Sequence, residues 1–242
     1  EEKTQIPVLG ILPWLKEIFP PEDSLDLLER KLFNQTAEIE IAIIKLPRIS
    51  NFSDLDPFYS ESSVQIRWVE PGRNLGNPDL VIIPGSKQVI KDLETLDKTG
   101  LTDQIKTYAN QGGNIFGICG GYQMMGIQLE DPKKVESNIE RNLSGYEGMK
   151  LLPIKTFYGD NKQTCQRKEM IKWPEKEEIK GFEMHYGESK CIKKQENEIA
   201  KPLFKEKSLG IVIERNDQSF IGGTYVHGLF ENGKWRRHLI NQ

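Results

Sequence analysis

Residues 113–126, Gly-Asn-Ile-Phe-Gly-Ile-Cys-Gly-Gly-Tyr-Gln-Met-Met-Gly, set one cysteine among glycines where an apolar run ends and a helix-like pattern begins. Ile115, Phe116 and Ile118 read as a buried strand, and Tyr122, Met124 and Met125 open a segment of helical spacing. Cys119 therefore falls in the turn between them. A Gly-x-Cys-x-Gly turn has the logic of a nucleophile elbow: glycines allow a tight, strained turn that leaves the side chain at the carboxyl edge of a sheet. The helix behind the sulfur places unpaired N–H groups and partial positive charge near it, which favours thiolate over thiol. A cysteine in an apolar run is usually packing. Packing does not call for Gly117, Gly120 and Gly121, which cost backbone entropy and contribute no side chain.

The flanking pattern supplies the sheet. Residues 38–46 are strand-like and stop at Pro47, residues 64–69 alternate as a second strand, and 80–83 form a short apolar run ended by Pro84-Gly85-Ser86. Residues 50–58 are rich in turn formers and read as a loop. Helical patterns follow at 88–96 and 101–109, ahead of the cysteine strand. This succession predicts an α/β fold, a flavodoxin-like, mostly parallel sheet flanked by helices, with ligands at the carboxyl ends of the strands. Further on, residues 180–190 alternate as one strand, 210–214 and 220–226 make a hairpin about Asn216-Asp217, and 233–241 form a final helix. Residues 130–173 give few clear periods. Repeats and low-complexity tracts are not evident.

Composition narrows the class of function. A chain of 242 residues with a net charge of −3 offers no electrostatic footprint for nucleic acid or an anionic membrane. No apolar stretch approaches the roughly 20 residues of a membrane span, and the first residues do not resemble a signal peptide. Cys119, Cys165 and Cys191 are widely spaced and odd in number, which suggests neither a disulfide scaffold nor a metal cluster. A reducing cytoplasm is the expected compartment. Residues 6–14 look like a buried strand with nothing before it to pair with, and 23–33 like a helix. The expected organisation is thus the end of an upstream domain over 1–36 and the main domain over 37–242; the alternative is that the first strand belongs to the main domain.

A cysteine nucleophile needs a base, and three histidines are present. His238 lies among arginines on the last helical segment, where solvation explains it. His185 lies within the strand-like Phe182-Glu183-Met184-His185-Tyr186. His227 ends a strand-like run just before Gly228, which could bring its imidazole to the sheet edge of Cys119, and it is the expected partner. Acyl transfer also needs donors for an oxyanion. Gly85, one βα unit before the elbow, and Gly120 are the natural pair. Gly85-Ser86-Lys87 lacks the upstream glycine of a phosphate loop.

The segment Gly117-Ile118-Cys119-Gly120-Gly121-Tyr122-Gln123 resembles the nucleophile motif of class I (triad) glutamine amidotransferases. Leu46-Pro47-Arg48-Ile49-Ser50-Asn51-Phe52, Ile83-Pro84-Gly85-Ser86-Lys87, Gly181-Phe182-Glu183-Met184-His185 and 223–230 resemble one branch, the cobyric acid synthases of cobalamin biosynthesis (CobB/CobQ type). The resemblance covers nearly the whole chain, in order and spacing. It implies that Cys119 attacks the side-chain amide of glutamine, forms a glutamyl thioester and releases ammonia, with His227 as base, Gly85 and Gly120 at the oxyanion, and Gln123 lining the glutamine pocket. It further implies a synthetase domain that uses ATP and Mg²⁺ to amidate peripheral carboxylates of adenosylcobyrinic acid a,c-diamide. Only the end of that domain is expected here, over residues 1–36, so ATP, Mg²⁺ and the corrinoid are expected to bind mainly elsewhere. Most triad members carry Glu two residues after the histidine; here that position is Leu229, as in the cobyric acid synthase branch, which leaves the orienting group open, with Glu183 or His185 as candidates. The alternatives are a glutaminase subunit for another acceptor such as a cell-wall lipid precursor, a cysteine hydrolase or stress protein on the same fold, or a silent binding module.

Overall fold

The computed structural model describes residues 37–136, 145–192 and 200–242. The strand, helix and domain boundary expected within residues 1–36 lie outside the described residues. Among the described residues, five strands run parallel in the main sheet, ordered Val64–Val69, Ile39–Ile44, Leu80–Ile83, Asn114–Ile118 and Phe220–Thr224. Two antiparallel strands, Gly210–Glu214 and Lys201–Pro202, extend the far edge.

Both faces of this sheet are covered, which is why its strands read as near-continuous apolar runs. Alternation sends Ala42, Ile44, Val81, Ile83 and Ile115 into one core and Ile41, Ile43, Leu80, Ile82 and Phe116 into the other. The first core is closed by α1 (Val89–Lys98), α2 (Leu101–Asn110) and the short α3 (Gly120–Met124). The apolar stripe Val89, Ile90, Leu93 and Leu96 of α1 is buried, and so, against its polarity, is Asp92. The second core holds Phe58, Leu229, Phe230 and Trp235, the last from α4 (Gly233–Ile240). No helix among the described residues is long and apolar enough to cross a membrane.

Three differences from the sequence reading bear on the site. Residues 50–58 are not an open loop: Phe52–Ser60 is a 3₁₀ helix entered through Asn51 in the left-handed conformation. The expected strand 180–190 is two strands in different sheets, Glu177–His185 and Glu188–Cys191, because Gly187 turns the chain at φ 81°. In the weakly patterned region, Ile154–Phe157 and Gln163–Ile171 are strands; the second alternates exposed and half-covered residues and so presents no apolar period. Strand Gln163–Ile171 pairs with Glu177–His185, and that strand with the two-residue strand Val226–His227. The hairpin strand ending at Thr224 thus hands the chain to this second sheet at the carboxyl edge of the first.

Candidate active site

Cys119 occupies the turn between strand Asn114–Ile118 and α3 with φ 50° and ψ −107°, a conformation non-glycine residues rarely adopt and that costs on the order of 1–3 kcal/mol. Its N–H donates to the Thr224 carbonyl at 2.8 Å and its carbonyl accepts the Gln123 N–H at 3.0 Å, so the main chain is fixed on both sides. The glycines around it are required by close approach. A Cβ on Gly117 would stand 2.8 Å from the Tyr122 nitrogen, one on Gly120 would stand 2.8 Å from the Ser86 nitrogen, and one on Gly121 would overlap the Ile83 carbonyl. The thiol, 6% exposed, faces the Met184 carbonyl at 3.8 Å.

His227 is fully buried at the end of its strand, its ring stacked on Phe182 with centroids 5.2 Å apart. Nδ1 meets Asp54 Oδ2 at 2.7 Å, and the other Asp54 oxygen accepts the Gly228 N–H at 2.7 Å. Asn51 Nδ2 stands 3.2 Å from Nδ1 and 3.1 Å from Nε2. Burial alone would lower the imidazole's pKa; its hydrogen bonds with Asp54 and the Cys119 side chain, and the charges of both, outweigh that and push it up to about 10. The ring is therefore an imidazolium at neutral pH. The structure brings Cys119 and His227 together across 108 residues of chain.

Asp54 was not singled out in the sequence. It sits in the 3₁₀ helix, 6% exposed, where the sequence reads as turn formers, and a second aspartate, Asp56, follows two residues on. The absence of an acid at position 229 was the only signal that a carboxylate must come from elsewhere. The expected candidates do not provide it. In the antiparallel register Phe182 pairs with His227 and Glu183 with Val226, so alternation turns Glu183 and His185 to the opposite face. There Glu183 accepts Arg167 Nε at 2.6 Å and meets His185 Nε2 at 3.2 Å, while His185 Nδ1 faces the Gly187 carbonyl at 3.0 Å. Burial would raise the Glu183 pKa, but His185 and Arg167 hold it below the usual carboxylate value. These residues line a cleft of about 410 Å³ together with Tyr225 and Ser189.

Gln123 is 2% exposed and fully engaged: Nε2 donates to the Tyr186 carbonyl at 2.8 Å and to the Tyr225 hydroxyl at 3.1 Å, and Oε1 accepts from the Tyr158 hydroxyl at 2.8 Å. It ties α3 to the walls around the thiol. Gly85 lies in a two-residue strand antiparallel to Ile49–Ser50, with the space above its Cα filled by the Ser50 hydroxyl 2.8 Å from where a Cβ would be and by His227 Cε1 at 3.5 Å. That filled cradle does not fit a nucleotide phosphate. Arg48 anchors this pairing: its Nη1 reaches the wholly buried Asp92 at 3.0 Å, and Asp92 also accepts the Ser86 hydroxyl at 2.6 Å. No group of three or more His, Cys, Asp or Glu among the described residues is arranged to hold a metal ion.

Solved structures share this architecture. A crystal structure of a glutamine amidotransferase matches 83% of this chain and 97% of its own with a TM-score of 0.58 at 11% identity. PurLQS from Thermotoga maritima matches 78% of this chain and 87% of its own with a TM-score of 0.54 at 14% identity. These likenesses are of fold. In sequence, the chain is 68% identical over its whole length to a cobyric acid synthase of Prochlorococcus marinus (strain NATL1A), covering 49% of that protein. It is 48% identical to that of Synechococcus sp. (strain WH7803), again with all of this chain matched and 49% of the relative. The chain thus spans about half the length of these curated relatives. Residues 40–235 match the model of the CobB/CobQ-like glutamine amidotransferase domain, and the chain belongs to that family.

Proposed function

We propose that this chain is the glutamine-hydrolysing part of a cobyric acid synthase, working through a cysteinyl thioester. The observation that carries this reading is the buried line from Asp54 through His227 to Cys119 at the carboxyl edge of a parallel sheet. Asp54 holds Nδ1, so Nε2, with Asn51 Nδ2 3.1 Å away, is the nitrogen that serves the sulfur. With the protonated ring beside Cys119, the sulfur is placed to act as nucleophile and the ring as its proton carrier. The thiolate attacks the glutamine side-chain carbonyl, and the oxyanion is met by backbone N–H groups of the Gly120 turn and the Gly85-Ser86 strand. Nε2 gives its proton to the departing nitrogen, which leaves as ammonia. The now neutral ring takes a proton from water as the water oxygen attacks the thioester, and glutamate departs as the sulfur recovers its resting state. Gln123 shapes the glutamine pocket by fixing Tyr158, Tyr225 and the backbone at Tyr186.

Ammonia then serves ATP-dependent amidation of peripheral carboxylates of adenosylcobyrinic acid a,c-diamide in the full-length protein, with ATP, Mg²⁺ and the corrinoid held outside this chain. A cytoplasmic setting accords with this chemistry. The test is mass-spectrometric labelling by a glutamine-analogue electrophile, followed by corrinoid amidation with the full-length protein. Labelling confined to Cys119 and dependent on His227 is expected; labelling of Cys165 or Cys191 instead would overturn the reading. Amidation of a cell-wall lipid precursor rather than a corrinoid would keep the glutaminase and replace the acceptor.

A further inference from the structure

Asn51 stands at the entry of the 3₁₀ helix Phe52–Ser60, in the left-handed region at φ 49° and ψ 42°. An asparagine in that place ordinarily turns its side-chain oxygen onto the first free N–H groups of the helix. Here no such bond forms. The main chain makes the turn by itself, the Asn51 carbonyl accepting the Asp54 N–H at 3.0 Å, and the side-chain amide is left to face His227. Among the described residues that amide has no other hydrogen-bond partner. The other neighbours of the ring are few. Phe182 is stacked on it, and Gly85 lies beyond Cε1, which is 3.5 Å from where a Cβ would be. Glu183 and His185 are turned to the opposite face of their strand. The titratable groups facing the ring, among the described residues, are therefore Asp54 from the 3₁₀ helix and Cys119 from the elbow.

A wholly buried ring that gives up a proton and takes one back in each turnover needs a partner for both of its charge states, because water is excluded from it. Asp54 favours only the protonated state. An asparagine amide serves either, being a donor at one end and an acceptor at the other. Nδ2, which stands 3.1 Å from Nε2, suits the neutral ring, whose Nε2 carries a lone pair. The protonated ring offers only N–H groups, and a half turn about the last side-chain bond brings Oδ1 to the same place. We propose that Asn51 is a positioning residue whose amide turns with the charge on His227: it accepts from the protonated ring, and donates to Nε2 once that proton has gone to the departing nitrogen. This deepens the thioester reading and rests on its proton transfers. Hydrogen bonds with an ionised partner are roughly twice as strong as neutral ones, so the amide on balance favours the charged ring.

Asn51→Gly and Asn51→Asp both tolerate a left-handed backbone, so neither burdens the turn itself. The full-length protein carrying isotope-labelled histidine, with the His227 signal assigned by its loss in His227→Gln, reports the ring's titration by NMR. The ring is expected to titrate about one pH unit lower in Asn51→Gly than in the wild type. In Asn51→Asp, whose carboxylate accepts at both ends, it should titrate higher than in the wild type. Glutaminase kcat at neutral pH should fall about tenfold in Asn51→Gly and further in Asn51→Asp, with KM for glutamine within about threefold of the wild type. Titration displaced the same way by both substitutions, or by neither, would overturn the proposal, because an asparagine that only fills space gives no opposite displacements. A change in KM larger than that in kcat would overturn it too, by placing Asn51 against glutamine. If wild-type Cys119 takes no label from the glutamine-analogue electrophile, the thioester reading itself has failed, a result neither substitution produces.

Discussion

Two of the three histidines, His227 and His185, face a buried carboxylate, and they do opposite things. His227 meets Asp54 at 2.7 Å, and its partner comes from 173 residues away. His185 meets Glu183 at 3.2 Å, only two residues away along the same strand. In the first pair the carboxylate serves the ring, because its second oxygen is held by a backbone N–H. In the second, Glu183 is shared with Arg167, and the ring lies flat on Tyr225 with centroids 3.8 Å apart. Nearness in sequence therefore identified a structural pair. The pair beside the thiol is formed by folding alone.

The largest effect separates the two histidines outright. His227→Ala and Cys119→Ser should each reduce glutaminase kcat by 10³-fold or more in order of magnitude, while His185→Ala should leave most of it; equal losses at the two histidines would dissolve the distinction. Next, Asp54→Asn is expected to lower kcat by roughly 10²–10⁴-fold by releasing the ring's orientation and charge. Glu183→Gln should change it less than about tenfold while lowering stability by about 1–3 kcal/mol through Arg167 and His185. Steady-state kinetics and chemical denaturation on the same two variants measure both.

A third expectation concerns pH. The His227 pKa rises from an ordinary value near 6.5 to about 10 in the folded protein, so the native state holds this proton more tightly. The resulting stabilisation is complete below about pH 6.5 and is lost as pH climbs toward 10. Urea midpoints between pH 6 and pH 10 should fall more steeply for the wild type than for Asp54→Asn, whose ring has lost the partner that raised it. Parallel slopes would show that Asp54 is not that partner. Smallest of all, Gly117→Ala should cost about 1–3 kcal/mol through crowding of the Tyr122 nitrogen, a loss that shifts the denaturation midpoint in either histidine background by the same amount.

Much of this architecture could be read from residue patterns, for a physical reason. Strands buried on both faces are short apolar runs, α1 and α2 carry buried stripes at helical spacing, and the elbow announces itself by glycines that crowding demands. Cys119 and His227 were legible as candidates because each closes an apolar run beside glycine. Asp54 was not, because nothing local distinguishes it from Asp56; its role is conferred by a histidine far along the chain. The division at Gly187 was hidden too, since Phe182-Glu183-Met184-His185 and Glu188-Ser189-Lys190 keep an alternating pattern across a turn that moves them into separate sheets. The strand Gly85–Ser86 lay between these extremes: the apolar run before it and the break at Pro84 were evident, but its pairing with Ile49–Ser50 is a matter of register that no residue pattern announces.

Leu229 is the counterpart of an acid supplied from upstream, by Asp54. The position two beyond the histidine is wholly buried in one cluster with Phe116, Phe230 and Trp235, so this spot is hydrocarbon interior. A glutamate introduced there would have to be desolvated in competition with an aspartate already seated. In the proposed mechanism the imidazole is thus held by the 3₁₀ helix Phe52–Ser60 rather than by a sequence neighbour, and the two halves of the pair meet only when chain made late folds back onto chain made early.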